Sequence, residues 1–192
     1  HMDTVQVPNP DEWSYPPFEG KIVDNKLYGR GSVDMKGGLA SSVYAAAIAK
    51  ECGLLDGKTI YVTGSVCEEF CDGVNIKMLF EEYNLKPDYV IICEPSDNII
   101  TLGHKGKAQI KITTHGVSAH GSAPEKGINA VYEMAEIIQR IEAKNKELFE
   151  KGNPHGTMVL SDINCVSASL NAVPSECSIY IDRRLVLGET LD

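Results

Sequence analysis

A chain of 192 residues with 43% hydrophobic side chains can bury a core, as one large domain or two small ones, and its composition is not that of a disordered segment. Eighteen lysines and arginines against 27 acids give a formal charge of -9, which argues against nucleic acid as a partner and supplies no basic patch for a membrane surface. No apolar run approaches the roughly 20 residues of a bilayer span, and six cysteines without a CxxC pair point to a reducing cytoplasm and isolated buried thiols rather than a disulfide framework or thiolate metal site.

In chain order, KLYGRGSVDMKGG (26–38) predicts a short strand and a glycine-rich loop, and LASSVYAAAIAKECGLL (39–55) an alanine-rich helix. KTIYVTGSVCEE (58–69) is rich in β-branched residues and predicts a strand, and GVNIKMLFEEYNL (73–85) a helix. DYVIICEP (88–95) is almost wholly apolar, as suits a strand covered on both faces. This alternation predicts an α/β unit with a mainly parallel sheet. Beyond Leu102 the texture changes. GKAQIKITTHG (106–116) alternates apolar and polar residues, and 128–149 places Ile128, Val131, Met134, Ala135, Ile138 and Ile141 on one helical stripe. TMVLSDINCV (157–166) and ECSIYIDRRLV (176–186) are further strands, so the second half predicts an α+β unit of β-α-β-β order with an antiparallel sheet. The boundary falls near residues 101 to 104, dividing the chain into 1–102 and 103–192.

Loops leaving the carboxyl ends of parallel strands converge at one rim, where ligand sites form. Asp34, Glu68, Glu69 and Glu94 all follow predicted strands and should meet there. HMDTV adds His1 and Asp3, a spacing in which the acid can hold the imidazole in the tautomer a metal needs. Several carboxylates at one rim repel each other unless a cation offsets them. Mixed histidine and carboxylate ligands favour zinc, cobalt or manganese over calcium. Asp34 can bridge two ions, and of the adjacent glutamates one can ligate while the other takes a proton.

The motifs HMDTV, YGRGSVDMKGG, CEE, CEPS, GVSAHGSAPEKGINA and NAVPSECSIYIDRR, in this order, resemble the dizinc aminoacylase and carboxypeptidase superfamily, which includes acetylornithine deacetylase, succinyl-diaminopimelate desuccinylase and glutamate carboxypeptidases. Within it the chain looks most like the hydrolases associated with selenium metabolism. The resemblance implies a metallopeptidase-type catalytic domain in 1–102 and a lid and dimerisation domain in 103–192, two divalent ions, and hydrolysis of an amide bond in a small N-acyl amino acid or dipeptide. It implies that His1 and Glu94 hold one metal, Asp34 bridges, Glu69 holds the second, Glu68 is the general base and Asp3 orients His1. His120 matches the lid histidine that reaches into the partner subunit's site in dimeric relatives. Asn171 and Arg184 match substrate-binding positions, with Arg183 an alternative to Arg184. The resemblance also implies a cis bond at Asp34–Met35, a homodimer formed through the lid, and one more histidine ligand that this chain does not contain. The 192 residues are therefore expected to be a fragment and a poor hydrolase by themselves. The competing expectation is a non-catalytic relative that dimerises and binds a ligand; Glu68 separates the two, because a metal-holding scaffold has no use for a base beside Glu69.

Overall fold

The structure, a computed structural model, describes residues 1–152 and 155–190. The chain is α/β, with helices and two small sheets, and divides into two compact units, His1–Thr101 and Leu102–Asp192.

In the first unit, strands β1 (Lys21–Val23) and β2 (Lys26–Tyr28) form an antiparallel hairpin. Its turn is made by Asp24 and Asn25, both with positive φ (48° and 60°), the backbone that a two-residue hairpin requires and that Asp and Asn tolerate. The loop after β2 carries Asp34 and a cis Asp34–Met35 bond, then passes into α1 (Gly38–Glu51). A Cβ on Gly38 would lie 2.3 Å from the Cys93 carbonyl oxygen, so only glycine lets α1 start this close to segment 88–93. Two further helices follow, α2 (Glu68–Cys71) and α3 (Val74–Glu82).

Segments 58–66 and 88–93, expected as parallel strands, have no ladder partner among the described residues, and the ladders that do form are antiparallel. The strand state needs a hydrogen-bonded neighbour as well as β-branched residues. Ile91 and Ile92 consequently stay 87% and 75% exposed. Cys67 and Cys71 are likewise exposed rather than buried thiols.

The second unit has the expected β-α-β-β order. Strands β3 (Gly106–His115), β4 (Thr157–Val166) and β5 (Glu176–Leu185) pair antiparallel in the order β3-β5-β4, so the last strand in the chain is central. Helix α4 (Ala130–Glu150) begins at Asn129, whose side-chain oxygen accepts the Val131 N–H at 2.9 Å. Thr114 Oγ1 donates to the Ala130 carbonyl, tying β3 to the helix start. Ala130, Met134 and Ile141 pack on Cys177, Ile179 and Ile181, the alternate residues on one face of β5. Leu148 is also buried. Each fully buried side chain of this kind contributes about 1.5–3 kcal/mol. The predicted stripe is corrected at two positions. Ile128 precedes the cap and is 51% exposed, and Ala135 faces solvent because the buried positions run 130, 134, 141 and 148.

Candidate metal centre

The site of the first unit is built around His1, which is 5% exposed although it carries a titratable ring. Its Nδ1 lies 2.9 Å from the Asp3 carbonyl oxygen, so an Nδ1–H donates there and leaves Nε2 facing the acids. Nε2 is 3.0 Å from Asp34 Oδ1, 3.7 Å from Glu68 Oε2 and 3.8 Å from Glu94 Oε1. Ligand atoms around a tetrahedral zinc at 2.0–2.2 Å are separated by about 3.4 Å. One donor atom each from His1, Asp34 and Glu94 lies within 4.8 Å of the others, so one imidazole and two carboxylates fit a single divalent ion of borderline softness.

Local backbone aims the paired glutamates. Cys67 sits in the left-handed helical conformation (φ 60°, ψ 26°), which costs a non-glycine residue about 1–2 kcal/mol, and Asp72 also has a positive φ (52°), so the two bracket α2 tightly. Glu68 turns toward His1. Glu69 does not: its Oε1 accepts the Val5 N–H at 3.1 Å, and its own N–H donates to Asp3 Oδ2 at 3.2 Å. Glu69 is outside the His1–Asp34–Glu94 group. Asp3 Oδ1 is buried without a hydrogen bond and lies 3.6 Å from His1 Nδ1, close enough to hold the ring electrostatically.

These placements set the protonation pattern. Burial pushes the Glu68 carboxyl up; the Glu69, Asp72 and Asp34 charges add to it, and His1 opposes it. Burial likewise raises Glu94, with Glu68, Asp34 and Glu69 adding and His1 opposing. For His1, burial pulls the ring down, but the hydrogen bonds to Asp34 and the Asp3 carbonyl and the Glu94 and Glu68 charges hold it above its ordinary value. Asp3 stays below the usual carboxyl range despite desolvation, because backbone N–H groups, that of Glu69 first, donate to it. A proton on His1 occupies the place a cation would take.

The other predicted residues lie in the second unit. His120 and Asn171, 51 positions apart, are neighbours there: His120 bridges Ala172, and the Gly121 N–H donates to the Asn171 carbonyl at 2.6 Å. Arg184 grips Asp182 with both arms, Nε to Oδ1 at 2.6 Å and Nη2 to Oδ2 at 2.9 Å. Asp182 and Arg184 share a face of β5 at i and i+2, a pairing the text IDRR carries but whose significance the sequence reading missed. Arg183 is tied into the fold instead, donating to the Thr157 carbonyl and pairing with Glu189 at 3.1 Å. No helix of the described residues is long and apolar enough to cross a membrane.

Residues 102–192 match the peptidase dimerisation domain of the M20 family. Over 191 residues the chain is 41% identical to the protein YgeY of Escherichia coli, covering 99% of this chain and 47% of that protein. It is 37% identical over 156 residues to a probable succinyl-diaminopimelate desuccinylase of Staphylococcus aureus, covering 81% of this chain and 38% of the other. The chain therefore spans about half the length, or less, of these relatives. A crystal structure of an M20 family metallo-carboxypeptidase from Sulfolobus solfataricus shares the fold, with a TM-score of 0.67 and 20% identity over 97% of this chain and 56% of that one.

Proposed function

Because the chain belongs to the M20 metallopeptidase superfamily, we propose that it serves metal-dependent hydrolysis of an amide (C–N) bond in a small N-acyl amino acid, dipeptide or related compound. One cluster carries this reading: a buried His1 whose Nε2 faces Asp34, Glu68 and Glu94 within 3.8 Å. His1, Asp34 and Glu94 would hold one divalent ion and Asp34 and Glu69 a second, zinc by preference over cobalt or manganese, and such ions, when bound, polarise the scissile carbonyl and acidify water. Glu68 accepts a proton from the attacking water and passes it to the departing amine. Burial holds its carboxyl above the ordinary range, which makes it the stronger proton acceptor. Asp3 fixes the His1 tautomer. As a lid residue reaching into the site of the other copy in the dimer, His120 donates to the developing oxyanion, and Asn171 binds a polar group of the substrate. Arg184 takes the substrate carboxylate in the fork that Asp182 now fills, exchanging one bidentate partner for another.

Residues 1–102 act in this proposal as part of the catalytic domain, and 103–192 as a lid through which two copies of the protein pair, in the cytoplasm. No nucleic acid or membrane takes part. The test is a pair of measurements on wild type and Glu68→Gln in protein of the relatives' length: metal content, and amine release from a panel of N-acyl amino acids and dipeptides. Retained metal with turnover reduced about 100- to 10,000-fold is the expected result. A Gln variant of wild-type turnover overturns the base assignment, and two metals with no turnover in wild type favours a ligand-binding dimer instead.

A further inference from the structure

His120 sits on a backbone with little freedom. Its neighbours are locked on both sides: the Ala119 carbonyl accepts the Val173 N–H at 2.8 Å, the Gly121 N–H donates to the Asn171 carbonyl at 2.6 Å, and the His120 carbonyl accepts the Ala123 N–H at 2.8 Å. A Cβ on Gly121 would lie 2.9 Å from that Asn171 oxygen, so the close approach depends on glycine. What remains free is the rotation of the ring and the position of its proton.

Both are held by one residue. The Ser122 backbone N–H donates to His120 Nδ1 at 3.1 Å, and Ser122 Oγ lies 2.8 Å from the same nitrogen. An Nδ1 that accepts a backbone N–H carries no proton of its own. The hydroxyl must then also donate, and the ring proton must reside on Nε2. We propose that Ser122 is a positioning residue that fixes His120 as the Nε2–H tautomer and presents that N–H outward as a hydrogen-bond donor. The proposal rests on the donor role given to His120 above. An Nδ1–H tautomer would offer a lone pair at Nε2, which repels an oxyanion instead of stabilising it.

The test reads the ring nitrogens directly by nitrogen-15 NMR of the chain at a pH where the imidazole is neutral, with wild type, Ser122→Ala and Ser122→Thr compared. Wild type should show Nδ1 as a hydrogen-bonded acceptor and Nε2 as the protonated nitrogen. Ser122→Ala removes one of the two donors, so the Nδ1 resonance should move toward that of a free acceptor, and the share of Nδ1–H tautomer should rise by about fivefold, the effect of one ordinary hydrogen bond. Ser122→Thr keeps the hydroxyl and should restore the wild-type spectrum. A wild type protonated at Nδ1, an alanine variant indistinguishable from wild type, or a threonine variant that behaves like alanine would overturn the proposal. Because the readout is a resonance and not turnover, its failure is separate from failure of the donor role, which a His120→Ala turnover measurement reports.

Discussion

The two units solve different problems. In the second, alternate residues of β5 meet one stripe of α4, and Met134, Cys177 and Ile179 are completely or almost completely buried. In the first, His1, Pro17 and Met35 are the buried side chains among the described residues, while an apolar run such as Tyr89–Ile92 lies open. Yet the first unit holds the convergent acids and the imidazole. Packing is concentrated where one helix covers one sheet, and reactive groups where loops from distant positions meet.

That contrast can be tested in three steps. The largest effect should come from the core of the second unit: Met134→Ala should lower unfolding free energy by about 2–5 kcal/mol in denaturant titration, since a buried methionine leaves both lost transfer energy and a cavity. A smaller loss would mean the core relaxes and the contrast is weaker than the burial suggests. Next comes zinc, which should stabilise the first unit by about 2.7 kcal/mol at a hundred times its Kd near pH 8. The stabilisation should shrink as pH falls, for a reason of sign. Glu68, Glu94 and His1 all have folded-state pKa values above their ordinary ones. Their protons stabilise the metal-free fold below the ordinary values, about 4.3 for Glu and 6.5 for His, and that stability is lost as pH rises through the raised folded values. Zinc must displace those protons, so its advantage grows over the same window. Melting temperatures with and without zinc at pH 5 and pH 8 measure it, and a pH-independent difference would place the metal elsewhere. The smallest effect belongs to Ile91→Ser, which should shift stability by no more than about 0.5 kcal/mol because the side chain is already in water. A loss above about 1 kcal/mol would show that segment 88–93 is packed in solution.

Much of this was legible in the sequence where local pattern decides the outcome. The alternation in 106–116 marked β3, the segments 157–166 and 176–186 read as further strands, and the apolar stripe marked α4, whose buried residues lie on one face. The short strand β2 was expected, but its partner β1 and the hairpin turn at Asp24–Asn25 were missed, since a three-residue strand leaves little periodicity. Strand order was not legible: nothing in the text of β5 says that it pairs on both sides. At the site, strand-end reasoning grouped Asp34, Glu68, Glu69 and Glu94, and the HMDTV spacing added His1. It could not foresee Glu69 held by the Val5 N–H, because a backbone donor leaves no trace in residue types. The Ser122 contact to His120 was in plain view in HGS, but only geometry says which nitrogen it meets.

The central place of β5 also bears on synthesis. When the chain through position 170 has left the ribosome, β3 and β4 are both complete, yet neither has its hydrogen-bonding partner and α4 has no sheet middle to cover. Until Glu176–Leu185 emerges, the nascent chain presents two unpaired edges and an apolar helix face, the surfaces on which chaperones act and neighbouring chains cross-pair. Closure then comes in one late step that inserts a strand between two waiting ones.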